Sequence, residues 1–188
     1  MKKYNKNDLR IFDAFCIVAG KNENYNEITL SKVTAAMGFT GQVLNRTRYR
    51  NVDDIVTALR DYESQEAFEK MESFIASGRK DLSTFLTDEF FPILYKNRKY
   101  LHVLYGKNSN PVWMALLIKK YTQLLSPHFS DAAKAFDLEP VFVTKRVVCT
   151  VISSLSDWLS ASEPESPEIF GKNFSALLKH SFIELAES

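Results

Sequence analysis

Apolar residues recur at helical spacing along nearly the whole chain, and the breaks between these runs fall at glycine, proline or clusters of polar residues. Leu9, Phe12, Ala14, Cys16, Ile17 and Ala19 predict a first helix capped by Asn7, with Asp8 favourably placed near its N-terminus. A polar segment over 21–27 follows, with Tyr25 as its single anchor. Leu30, Val33, Thr34 and Met37 predict a short amphipathic helix capped by Thr29, and Gly38 ends it by supplying a left-handed backbone position. Phe39 is placed to fall back into the core. Thr40 caps a second short helix over 41–46, whose Val43 and Leu44 can be buried. From the Asn51 cap a long stripe runs through Ile55, Ala58, Leu59, Tyr62, Ala67, Phe68, Met71 and Phe74 to Gly78.

Helical patterning continues beyond Arg79. Phe85, Leu86, Phe90, Ile93 and Leu94 form one run, begun by Asp81 or Ser83, and Tyr100 to Tyr105 another. Pro111 opens a helix carrying Trp113, Leu116, Leu117, Tyr121 and Leu125, Pro127 interrupts, and Pro140 leads a strongly apolar helix to Leu159. After a linker over 163–167, Ile169, Phe170, Phe174, Leu177, Leu178, Phe182 and Leu185 mark the last helix. Neither a β pattern nor an internal repeat is present. The expected fold is all-α with about nine helices: a three-helix head over 1–51, a connecting helix over 52–78, and a helical body over 79–188.

Within the head, the segment 28–51 reads as a helix-turn-helix. Its second helix presents amide and guanidinium groups of the kind that pair with base edges in a major groove. Thr40, Gln42, Asn45 and Arg46 are the expected base-facing residues, with Gln42 or Asn45 suited to adenine and Arg46 to guanine. Thr29, Arg48, Tyr49, Arg50 and the tail residues Lys2, Lys3 and Lys6 complete the DNA-binding set, chiefly at phosphates. A three-helix packing unit with no nucleic-acid role shares this local pattern, and each of these residues taken singly also reads as a solvated side chain.

Charge adds to the first reading. The 188 residues carry a formal net charge of +1, but residues 1–60 hold about ten basic against six acidic side chains, so the positive excess coincides with the motif. No apolar run approaches the roughly 18 residues that span a bilayer, and no apolar segment of signal-peptide type follows the basic N-terminus. A cytoplasmic protein with no membrane partner is expected. Cys16 and Cys149 lie in apolar helical patterns without pairing or ligand spacing and read as buried thiols. His102, His128 and His180 are too scattered for a metal site, no nucleophile or phosphate-loop motif occurs, and neither enzyme activity nor a cofactor is expected.

The order Tyr25, Thr29, Leu30, Val33, Gly38, Phe39, Thr40, Leu44, Tyr49, Arg50, Asp53 and Ile55 resembles the head of the TetR/AcrR family of bacterial transcriptional regulators. The resemblance covers about the first seventy positions and includes one extra residue between Leu44 and Tyr49. Asn24, Thr34, Asn45 and Val52 stand where that family has glycine, alanine, tyrosine and lysine. It implies a dimeric regulator of a double-stranded DNA operator, most simply a repressor that leaves DNA when a small molecule occupies the body. The alternative is a regulator or interaction module controlled by a protein partner.

On that footing the aromatic-rich body is expected to hold a pocket bounded by Phe90, Leu94, His102, Tyr105, Trp113, Leu117 and Tyr121, for a small, mainly apolar effector. Such aromatics equally serve as core filling. A homodimer is expected through the last two helices, with Val147, Val151, Ser154, Leu155, Phe170, Phe174 and Leu178 at a four-helix interface, or else these helices complete a monomeric core.

Overall fold

The computed structural model describes residues 4–22, 24–38, 48–106 and 111–179. Among the described residues the chain is all-helical, with nine helices and no strand. They are α1 (Lys6–Lys21), α2 (Leu30–Ala36), α3 (Val52–Ala76), α4 (82–96), α5 (Arg98–Tyr105), α6 (Pro111–Leu125), α7 (Ser130–Ala135), α8 (Pro140–Ser160) and α9 (Pro167–Lys179). The second helix of the expected helix-turn-helix, with Thr40, Gln42, Asn45 and Arg46, lies outside the described residues, as do Lys2, Lys3, His180, Phe182 and Leu185.

Local chemistry explains most boundaries. Thr29 Oγ1 accepts the Lys32 N–H at 3.3 Å, Asn51 Oδ1 accepts the Asp54 N–H at 2.8 Å, and Gly38 adopts φ 75°, all as the sequence predicts. The α1 cap is Asn5 rather than Asn7. Asn5 Oδ1 accepts the N–H groups of Asn7 and Asp8, while Asp8 Oδ2 accepts the Asn5 N–H at 2.8 Å, a reciprocal capping box. A helix begun at Asn7 would put Arg10 at the third helical position, where it has no acceptor to return.

Two features of the body were not expected. Within α4, regular turns over Leu82–Phe85 and Phe91–Lys96 flank a wide π turn over Leu86–Phe90, in which the Phe91 N–H reaches the Leu86 carbonyl. Pro92 follows directly; it has no N–H for the Asp88 carbonyl and its ring crowds that position, which the wider turn relieves. The six-residue α7 ends with Asp137 at φ 53°, where the Leu138 N–H bonds the Ala133 carbonyl at 2.9 Å and the Asp137 N–H bonds Lys134 at 3.2 Å.

One buried cluster runs from Ile11 in α1 to Phe174 in α9. The head and the body meet where α1 and α3 pack on α5. There Asp13 Oδ1 accepts Lys99 Nζ at 2.6 Å and the Tyr100 hydroxyl at 2.7 Å, and the rings of Tyr4, Phe12, Tyr62 and Tyr100 lie edge to face or tilted at 5.6–6.5 Å. On the far side, Phe91 meets Trp158, Phe170 and Phe174 edge to face, and Phe170 stacks on Phe174 and on Trp158, the last pair parallel at 4.2 Å.

Candidate functional site

In the head, Asp8 is buried in α1 and gathers the residues that lead into α3. Its carboxylate accepts the Tyr49 hydroxyl at 2.7 Å and lies 3.2 Å from the Arg48 guanidinium, which also stacks 4.8 Å over the Tyr4 ring. Burial and the bond to Asp8 push the Tyr49 phenol up to about 12. Tyr49 is therefore not a DNA-facing side chain: only 4% of it is exposed, because its ring packs on Phe12 while its hydroxyl is committed to Asp8. Of the other expected contacts, Lys6, Thr29, Arg48 and Arg50 are exposed. Thr29 is engaged as a helix cap, and Arg50 gives its backbone N–H to Asp54 at 2.7 Å.

Inside the body, a cavity of about 60 Å³ lies between α3, α4, α5, α6 and α8. Phe90, Leu94, Tyr105, Trp113, Leu117 and Tyr121 all line it, so six of the seven expected pocket residues converge. His102 does not. It is exposed on the outer side of α5 and borders an open groove of mixed polarity beside the end of α1 and the turn after α8. Tyr105 is shared between the two, and burial raises the phenols of both Tyr105 and Tyr121.

Within the single chain, α8 residues expected at a dimer seam form part of the cavity wall. Val147, Val151 and Leu155 line the cavity, together with Val148 and Ile152. Phe170 and Phe174 are buried against Phe91 within the same chain, and the half-buried Ser154 gives its hydroxyl to the Thr150 carbonyl at 3.0 Å. The reason is that α8 is sandwiched between α6 and α5, so more of its circumference is internal than a two-layer packing would require. Leu178 is 43% exposed, and Val141 and Phe142 on α8 and Ile169 and Leu177 on α9 are exposed as well.

Comparison of the chain with models of known protein families, with curated proteins and with solved structures finds no match. The site rests on its own geometry.

The residue that changes its chemistry is Glu63. It is 2% exposed, borders the cavity, and neither carboxylate oxygen has a hydrogen-bond partner. Burial, reinforced by Glu66 and opposed by Lys96, pushes its pKa up to about 8. The pattern held a signal for it: Leu59, Glu63, Ala67 and Met71 form one i, i+4 row on α3, and the other three are buried. A carboxylate in an apolar row is a candidate site in its own right. Among the described residues no group of three or more His, Cys, Asp and Glu side chains is placed to hold a metal, and no helix is long and apolar enough to cross a membrane.

Proposed function

We propose that the protein is a DNA-binding transcriptional regulator whose affinity for an operator is set by a small effector in the body cavity. The observation that carries this is the course of α3. Its N-terminal part packs on α1, with Ile55 and Leu59 fully buried, and its middle and C-terminal part supply Glu63, Ser64, Ala67 and Met71 to the cavity wall. A ligand that changes the spacing of the cavity walls acts directly on the helix that carries the head, which is the differential contact that coupling requires.

The basic excess of residues 1–60 and the resemblance of 28–51 to a helix-turn-helix support DNA as the partner. A single head of this size reads too few base pairs to be selective, so the reading includes a homodimer that places two heads on half-sites about one helical turn apart.

The test is fluorescence anisotropy with duplex DNA from upstream of the protein's own gene, in competition with scrambled duplex. Gln42→Ala or Arg46→Ala is expected to weaken the specific complex by roughly 1–3 kcal/mol and to relax one base position, whereas Arg50→Ala weakens all sequences alike and flattens the salt dependence. Equal binding of specific and scrambled duplex by the wild type, or wild-type affinity in both the Gln42 and Arg46 variants, overturns the assignment.

A further inference from the structure

The described lining of the cavity is mostly apolar, and its one carboxyl group, Glu63, has no hydrogen-bond partner. Glu63 and Ser64 are its only polar aliphatic side chains, no lysine, arginine or histidine lies among its described lining residues, and Phe90, Tyr105, Trp113 and Tyr121 supply four aromatic rings. Both Glu63 oxygens are buried and unpartnered. A buried acceptor pair left open in a native structure calls for an explanation. Water is a poor one here, because a buried water needs two to four polar partners and both Glu63 oxygens are buried so closely that they present almost no surface to a water molecule.

We propose that the cavity takes a primary amine with a short alkyl or arylalkyl tail, the ammonium pairing with the Glu63 carboxylate and the tail filling the space between α3, α6 and α8. This rests on the reading of the cavity as the effector site and names the effector's chemical class. A primary ammonium carries a charge and three donors, enough to serve both oxygens of the ionised carboxylate with charge-assisted bonds, whereas an alcohol meets the protonated carboxyl with neutral hydrogen bonds alone. Ring faces favour the same cation and repel an anion. At about 60 Å³ the empty cavity is small for such a tail, so binding must spread its walls. Met71, whose unbranched chain repacks readily, is one wall residue that can yield, and the spreading is what would transmit occupancy along α3.

The groups facing Glu63 are Glu66 on its own helix, Lys96 on α4, Cys16 on α1 and Tyr100 on α5. With its pKa raised to about 8, Glu63 holds a proton at neutral pH in the empty cavity. An ammonium that pairs with it displaces that proton to solvent, while a neutral ligand displaces none.

The experiment is titration calorimetry of the full chain near neutral pH with n-butylamine, n-hexylamine and n-octylamine, against n-hexanol and hexanoate, in buffers of different ionisation enthalpy. Amines are expected to bind roughly ten- to a hundredfold more tightly than the alcohol, the worth of a charge-assisted hydrogen bond, with hexanoate weakest and close to one proton released per amine bound. In Glu63→Gln, which keeps the side-chain volume, the preference for amine over alcohol and the proton release both disappear while n-hexanol still binds. Should that variant fail to fold, proton release by the wild type decides alone. Alcohol binding as tight as amine, amine binding without proton release, or no binding of any probe overturns the proposal. Because no DNA is present, the two readings fail separately. A chain that binds amines but no operator refutes the regulator and leaves the site, and a chain that binds operator but no amine does the reverse.

Discussion

Glu63 makes a statement about stability as well as about ligands. Its carboxyl is held in the folded protein with a pKa of about 8, against about 4.5 for an ordinary glutamate. Between these values the folded state keeps a proton that the unfolded state gives up, so this residue contributes a loss of stability that begins near the unfolded value and is complete above the folded one. The loss is on the order of 5 kcal/mol. Urea unfolding followed from mildly acidic to mildly alkaline pH is expected to show wild-type stability falling relative to Glu63→Gln. A wild type and variant that stay parallel throughout would mean that the carboxylate is solvated or paired in solution. Neither Cys16, whose thiol is pushed up to about 12 by burial, nor Tyr100, raised by burial and its bond to Asp13, changes charge in that window.

At the scale of elements, helix chemistry legible in the sequence located the caps of α2 and α3, the glycine after α2 and the proline-led starts of α6 and α8. One cap was misplaced and one irregular turn not foreseen, and in both a residue a few positions away outweighed the residue in view. Asn5 won the α1 cap because Asp8 answers it, and the π turn of α4 follows from Pro92 rather than from any residue inside the turn. The small α7 escaped because six residues carry too little periodicity to register. Its exit can be improved. Asp137 sits in the left-handed region, where a Cβ is disfavoured and glycine is at ease, so Asp137→Gly is expected to raise stability by roughly 0.5–1 kcal/mol in thermal unfolding. A lowered Tm would show that the aspartate side chain contributes more there than its backbone costs.

For the whole molecule, the body aromatics singled out in the sequence line a cavity, and the α8 residues expected at a dimer seam lie on the same wall, since periodicity reports burial without saying what does the burying. Val151 and Phe174 are for that reason poor probes of association; charging either would damage the cavity wall or the Phe91 cluster. The exposed apolar side chains are the ones to change. If a symmetric pair forms through α8 and α9, Phe142→Glu combined with Leu178→Glu is expected to shift sedimentation at low micromolar concentration from dimer to the 21.6 kDa monomer without altering the helical circular dichroism. A wild type that already sediments as a monomer would refute the pair.

The uninterrupted course of α3 has a geometric consequence. Its 25 residues contain neither glycine nor proline, so the helix behaves as a stiff rod about 37 Å long. If the chain is the dimeric regulator proposed above, pivoting such a rod by about 10° around its middle would carry each end through about 3 Å and change the separation of two symmetric heads by about 6 Å, against a half-site spacing of about 34 Å. An opening at the cavity no wider than a methylene or two would then reach the other end as a misfit of the heads to the pitch of the double helix.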